Sequence, residues 1–347
     1  MTKDRAAGDL DASDREAADV ARAIRSGDRR ALARAITQIE STRESDRQRG
    51  QSVLEALVAD SGDAYRVGIT GPPGVGKSTF IEALGLWLID QGKTVAVLAV
   101  DPSSPVTGGS ILGDKVRMER LSVRPEAFIR PSPSSGSLGG VARRTREVML
   151  LCEAAGYDVV LIETVGIGQS EVAVASMVDF FLVLLLPAGG DELQGIKKGV
   201  VELADLLVVN KADGSTLEIA ERTRQDYAGA LNLIRSVSEH WQPRALVASA
   251  LESRGVVEVW ETIEQHRDLI EASGELDRRR REQSRDWMWK LVEEGITRAF
   301  REQPGMAEAI AREEESVEAL KTTPAAAART LLDGFLSARS VGRKRRL

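Results

Sequence analysis

Apolar residues follow two regimes along this chain. From about residue 64 to 270 they gather in short, nearly unbroken runs, separated by segments where they recur at helical spacing. The runs predict strands at Tyr65–Ile69, Thr94–Val100, Ala127–Arg130, Asp158–Ile162, Asp179–Leu186, Asp205–Val209 and Arg244–Val247. A continuous run, rather than an apolar–polar alternation, is what a strand covered on both faces needs. The expectation is an α/β fold with a mostly parallel central sheet flanked by helices. Ligands in such folds sit beyond the carboxyl ends of the strands.

On either side of this region the pattern is helical. Residues 14–40 read as two helices broken at Gly27-Asp28, with Leu32, Ala35, Ile36 and Ile39 on one face. A third, from about Arg47 to Ala59, turns Leu54, Leu57 and Val58 inward. Residues 1–13 are small and charged without periodicity, which predicts a disordered tail. Past residue 270 the basic run Arg278–Arg281 lies in a long helical stretch, where Met288, Val292, Ile296 and Phe300 recur at helical spacing. Thr323-Pro324 opens another helix as cap and first residue, followed by Leu331, Leu332, Phe335 and Leu336. The expected organisation is a tail at 1–13, an N-terminal helical extension at 14–62, an α/β domain at 63–272 and a helical arm at 273–347. Such an arm has little core of its own, so its apolar stripe packs on the α/β domain or on a second copy of the chain, the second being the reading adopted.

Composition narrows the function. The 347 residues are 42% apolar but only 4% aromatic, so aliphatic side chains carry the packing. A net charge of −6 argues against a nucleic-acid partner. One cysteine, Cys152, allows no internal disulfide and fits a reducing cytoplasm. His240 and His266 are the two histidines, far apart in sequence, which disfavours a Cys/His metal site. The first residues, MTKDRAAGDL, lack the apolar core of a signal peptide. The longest apolar run, Phe180–Leu186, is too short to span a bilayer, so no membrane association is expected.

The chemistry lies at the predicted strand ends. After the first strand comes Gly71-Pro72-Pro73-Gly74-Val75-Gly76-Lys77-Ser78-Thr79, which matches the phosphate-loop pattern G-x-x-x-x-G-K-[ST] of P-loop NTPases. Glycines let backbone N–H groups turn toward phosphate oxygens, and the following helix points its positive end at them. Lys77 is expected on the β- and γ-phosphates and the Ser78 hydroxyl on Mg²⁺. Asp101, ending the second strand, faces the γ-phosphate side, where it can hold a metal-bound water or orient the attacking one; Asp114, beyond a glycine-rich loop, is a second such group. Glu163 ends the fourth strand as a Walker-B acid does. Gly166 then frees an N–H for the γ-phosphate, a hydrogen bond that breaks when that phosphate leaves. Ile167 stands where many regulatory GTPases carry a water-orienting glutamine, with Gln169 and Glu171 following later. This predicts slow intrinsic hydrolysis, raised when a partner completes the site. The glycine-rich segment 187–199 reads equally as a mobile element or a solvated face.

The sixth strand ends in Asn210-Lys211-Ala212-Asp213, the base-recognition pattern N-K-x-D. The Asp213 carboxylate can accept from guanine N1–H and its exocyclic amine; adenine offers neither donor, so discrimination is strong. Lys211 can lie along the ring, and Asn210 can tie loops together. Ser249-Ala250-Leu251 follows the seventh strand, where a backbone N–H would meet guanine O6. GTP and GDP, with Mg²⁺, are the ligands these residues imply.

Taken in order, GPPGVGKST, DPSSP with GGSILGDK, ETVGIGQSE, LPAGGDELQGIKKG and NKAD resemble the MeaB/ArgK family of metallochaperone-type GTPases, over about residues 15–340. The resemblance implies a homodimer held by the C-terminal arm, and Mg²⁺ near Ser78 with Asp101, Asp114 and Glu163 around it. It makes 187–199 a third nucleotide-sensing loop. It also implies a chaperone that gates adenosylcobalamin loading of methylmalonyl-CoA mutase and protects that enzyme. Two alternatives stand beside it, the first from another class and the second a relative with similar motifs. One is a kinase-like phosphotransferase acting on a small molecule, for which no acceptor pocket is evident. The other is a nickel-insertion GTPase, for which this chain supplies few Cys or His ligands.

Overall fold

The computed structural model describes residues 3–100, 118–132, 138–164, 170–187, 198–233, 236 and 238–344. They divide into two compact units, residues 1–280 and 281–347. In the first unit, helices α1 (Lys3–Arg25), α2 (Arg29–Glu40) and α3 (Glu44–Leu57) precede strand β1 (Tyr65–Thr70). There follow α4 (Lys77–Asp90), β2 (Val95–Val100), α5 (Glu119–Ser122), β3 (Ala127–Ser132), α6 (Leu138–Ala154) and β4 (Val159–Thr164). Next come α7 (Ser170–Ala175), β5 (Phe180–Leu185), α8 (Lys198–Val201), β6 (Leu206–Val209), α9 (Leu217–Leu231), β7 (Arg244–Val247) and α10 (Val256–Ala272). Helix α11 (Glu275–Arg301) crosses the boundary in sequence, and α12 (Met306–Glu318) and α13 (Pro324–Lys344) belong to the second unit.

The strands form one parallel sheet in the order β3-β2-β4-β1-β5-β6-β7. β1 lies centrally, with Val67 beside both Leu161 and Phe180. Successive side chains of a strand face opposite layers. Val160, Ile162, Phe181 and Val183 therefore pack with Leu32, Ile36, Leu57 and Leu151 on one side. Val67, Ile69, Leu161 and Leu182 pack with Phe80, Leu84, Val259 and Ile263 on the other. Covered faces on both sides explain the unbroken apolar runs.

Residues 3–13, expected as a disordered tail, fall within the bounds of α1. Val58, expected inward, is exposed, because the chain tightens into a 3₁₀ turn at Val58–Asp60. Helix α12 falls within the stretch expected as a helical arm. In the second unit Met306, Ala327 and Phe335 are buried, and Phe300 meets Phe335 edge-on at 5.4 Å. Met288, Val292, Ile296, Leu332 and Leu336 are exposed.

An aspartate precedes each of β4, β5 and β6, and each accepts an N–H from the neighbouring strand. Asp158 takes Thr94 N at 2.7 Å, Asp179 takes Arg66 N at 2.9 Å and Asp205 takes Phe181 N at 2.8 Å. Arginines compensate the buried charge. Arg66 pairs with Glu153, Arg280 with Asp179, and Arg279 lies 3.9 Å from Asp205. Alongside, the Tyr65 hydroxyl and His266 Nδ1 are 2.6 Å apart, and the imidazole stands edge-on to Phe180 and Trp241. Burial pushes the Asp205 carboxyl up to about 6, against the opposing pull of Arg279. It pushes the His266 imidazole down to about 3, with Arg279 acting in the same direction.

Candidate functional site: a phosphate loop joined to a base loop

The site lies at the carboxyl ends of β1, β4, β5, β6 and β7, which a parallel sheet brings to one edge. β1 hands the chain to the loop 71–76, closed by Val75 N donating to the Pro72 carbonyl at 3.2 Å, with the Val75 side chain buried. Two glycines are required by close approach as well as by conformation. At Gly71 (φ +150°) a Cβ would lie 2.4 Å from the Leu184 carbonyl oxygen of β5. At Gly76 (φ +95°) it would lie 2.8 Å from Asn210 Nδ2. L-residues with side chains rarely adopt such φ values. Lys77 opens α4, and its Nζ reaches back over the loop to the carbonyls of Gly71 at 2.8 Å and Pro72 at 3.3 Å. No acidic residue occupies the first turn of α4, so nothing there opposes the helix's positive end.

Ser78 Oγ donates to Glu163 Oε1 at 3.1 Å, so a hydroxyl from the first turn of α4 and a carboxylate from the end of β4 stand together. Beneath them Thr164 and Thr70 share a buried hydroxyl hydrogen bond of 2.6 Å. Hard oxygen donors of this kind suit Mg²⁺, which binds through one or two protein ligands plus waters and substrate phosphates. Among the described residues no three His, Cys, Asp or Glu side chains converge on a metal-sized site. Asp101, Asp114, Gly166, Ile167, Gln169 and most of 187–199 lie outside the described residues.

The second loop continues β6. Asn210 is buried, its N–H donating to the Leu185 carbonyl at 2.8 Å. Its Nδ2 donates to the Val75 carbonyl of the phosphate loop at 2.8 Å, and its Oδ1 accepts Ala250 N–H at 3.1 Å. One side chain thereby ties three loops. Lys211 is exposed, with its backbone left-handed at φ +58°. Asp213 Oδ2 accepts the Ser249 hydroxyl at 2.6 Å. The sequence reading assigned Ser249–Leu251 a backbone role and missed this hydroxyl. A serine beginning a short loop carries no long-range signal of which distant carboxylate it will meet. Leu251 is exposed. A cleft of about 320 Å³ adjoins the loop, lined by Thr79, Trp87, Ala250 and Leu251 among others.

Comparison with known proteins agrees with this arrangement. The family model described as "Methylmalonyl Co-A mutase-associated GTPase MeaB" matches residues 32–305. A probable GTPase of Mycobacterium tuberculosis is 55% identical over 314 residues, covering 90% of this chain and 94% of the relative. The mouse protein "Methylmalonic aciduria type A homolog, mitochondrial" is 48% identical over 321 residues, covering 90% of this chain and 77% of the relative. A solved structure, "LAO/AO transport system kinase", superposes with a TM-score of 0.75 at 40% identity, covering 92% of this chain and 97% of that one. Among the described residues no helix is long and apolar enough to cross a membrane. A phosphate loop and an N-K-x-D loop locked together on a parallel sheet, and a family match across most of the length, lead to one conclusion: this chain belongs to the MeaB family of methylmalonyl-CoA mutase-associated GTPases.

Proposed function

We propose that this protein binds GTP with Mg²⁺, hydrolyses it slowly, and uses the GTP or GDP state to gate adenosylcobalamin loading and protection of a methylmalonyl-CoA mutase. The observation that carries the nucleotide reading is the Asn210 bridge, which ties Val75 of the phosphate loop and Ala250 of the loop after β7 to the base loop. In this reading the 71–79 backbone and Lys77 hold the phosphates, Asp213 reads the base, and the Ala250–Leu251 backbone faces guanine O6. Ser78 and Glu163, with Asp101 and Asp114, hold the metal. Bound Mg²⁺ would neutralise charge building on the β- and γ-phosphate oxygens. Lys77 adds a fixed cation to the same charge, and Asp101 orients water. Gly166 senses the terminal phosphate, and 187–199 responds with it.

The mutase as partner is supported by the family's description. A homodimer through the arm is supported by the exposed stripe Met288, Val292 and Ile296. The phosphotransferase alternative is not adopted, since the family and the mycobacterial relative are described as GTPases. The test is a pull-down from the native cell with the protein held in its GTP and GDP states. A cobalamin-dependent mutase recovered in a nucleotide-dependent amount is expected. Transfer of the γ-phosphate of labelled GTP to a small molecule rather than water would overturn the reading.

A further inference from the structure

The base loop is held from behind by a residue that none of the motifs contains. Ser249 and Arg254 form a short antiparallel bridge, with Ser249 N–H donating to Arg254 O at 2.9 Å and Arg254 N–H to Ser249 O at 3.1 Å. Gly255 lets the chain leave this turn at φ +76°, where a Cβ would lie 2.4 Å from the Val247 carbonyl oxygen. The bridge aims Arg254 back across the base loop, and its Nη2 donates to the Ala212 carbonyl. The N–H of Ala212 is also taken, by the Ala248 carbonyl at 3.0 Å. Thr216 Oγ1 donates to the carbonyls of Lys211 and Asp213. These bonds surround the left-handed Lys211, a conformation that a lysine adopts only when its surroundings hold it there.

The hydrogen bonds close a ring. Ser249 donates through its hydroxyl to Asp213 and bridges through its backbone to Arg254. Arg254 grips the carbonyl of the Ala212–Asp213 peptide, whose plane sets the direction in which Asp213 leaves the chain. We propose that Arg254 is a positioning residue for base selection: it orients the Ala212–Asp213 peptide so that both Asp213 oxygens face the two guanine donors. This rests on the assignment of Asp213 to the base. It assigns Arg254 no direct bond to the nucleotide.

The consequence separates guanine from hypoxanthine. Hypoxanthine lacks the exocyclic amine and so can make one of the two hydrogen bonds to Asp213. A well-aimed carboxylate rewards the second donor, and a misaligned one does not. Arg254→Ala and Arg254→Lys are measured by calorimetry against GDP and inosine diphosphate. Thermal melting accompanies each variant, and Asp213→Asn is measured against GDP and xanthosine diphosphate. Arg254→Ala is expected to weaken GDP by about tenfold, as for loss of one charge-assisted hydrogen bond. It should weaken inosine diphosphate less, so the GDP preference shrinks, with Arg254→Lys intermediate. An unchanged GDP-to-inosine-diphosphate ratio overturns the proposal, whether the two affinities fall together or not at all. If Asp213→Asn fails to shift preference toward xanthosine diphosphate, the base assignment itself is wrong and the role of Arg254 falls with it.

Discussion

Removing the side chain of Asn210 tests the junction between the two loops. Asn210 is 1% exposed. Its amide satisfies two buried backbone groups, the Val75 carbonyl at 2.8 Å and the Ala250 N–H at 3.1 Å. Asn210→Ala leaves both without that partner. Each buried polar group so stranded costs about 1–3 kcal/mol, and partial entry of water favours the lower half, giving about 3 kcal/mol in all. For a unit of this size that corresponds to a fall in melting temperature of roughly 5 °C. Because the bonds lie in the phosphate and base loops, GDP affinity should fall as well, by at least about tenfold. Asn210→Asp separates the two ends. It keeps an acceptor for Ala250 N–H but sets a carboxylate oxygen against the Val75 carbonyl, so only the link to the phosphate loop is broken. The assay is calorimetric melting of nucleotide-free protein, followed by GDP titration of each variant. A melting change under about 2 °C for Asn210→Ala, together with unaltered GDP affinity, would refute the reasoning.

Other consequences follow from the same geometry. Lys77→Ala should abolish tight GTP binding, since its Nζ is the cation held over the loop carbonyls; calorimetry showing retained affinity contradicts that role. Gly76→Ala forces a Cβ to within 2.8 Å of Asn210 Nδ2 at φ +95°, and more than about a tenfold loss of GDP affinity is expected in an equilibrium titration. Ser78→Ala and Glu163→Gln should each raise the Mg²⁺ concentration needed to slow GDP release; an unshifted Mg²⁺ dependence for both contradicts the metal assignment. Asp205 and His266 impose opposite pH slopes. Folded Asp205 keeps its proton up to about pH 6, whereas the unfolded group loses it near 4, so its contribution to stability falls as pH rises through that window. Folded His266 stays neutral down to about pH 3 while the unfolded imidazole charges below about 6.5, so its contribution falls as pH drops. Asp205→Asn removes the carboxyl slope while the buried histidine's opposing slope remains, so stability should fall more steeply from pH 6 to 4 than in wild type; an equal or shallower fall in denaturation midpoint contradicts this.

What could be read from the chain, and what could not, divides along physical lines. The strands were legible because β1, β2, β4, β5 and β6 are buried on both faces, which local hydrophobicity reports directly; β7 is only partly covered. Observed ends differ by one or two residues, as at β4, which runs through Glu163 to Thr164. The turns at 71–76 and 210–213 were legible because residue types at fixed spacing serve short-range backbone geometry; that they hold phosphate and base is the proposal. Long-range side-chain interactions left no such trace. Nothing near Arg254 announces the Ala212 carbonyl 42 residues away. The basic run at 278–281 gave no hint that Arg279 and Arg280 would anchor on Asp205 and Asp179. Val58 shows the same limit at short range: helical periodicity put it inward, and a local tightening of the turn put it out.

The most direct test of the central claim is the relative affinity of the purified wild-type protein for GTP and ATP with Mg²⁺ present. Tight GTP binding with ATP at least about a hundredfold weaker is predicted, because in the proposed reading Asp213 would meet two donors on guanine and none on adenine. Equal affinity for the two nucleotides, or no binding of either, would contradict it.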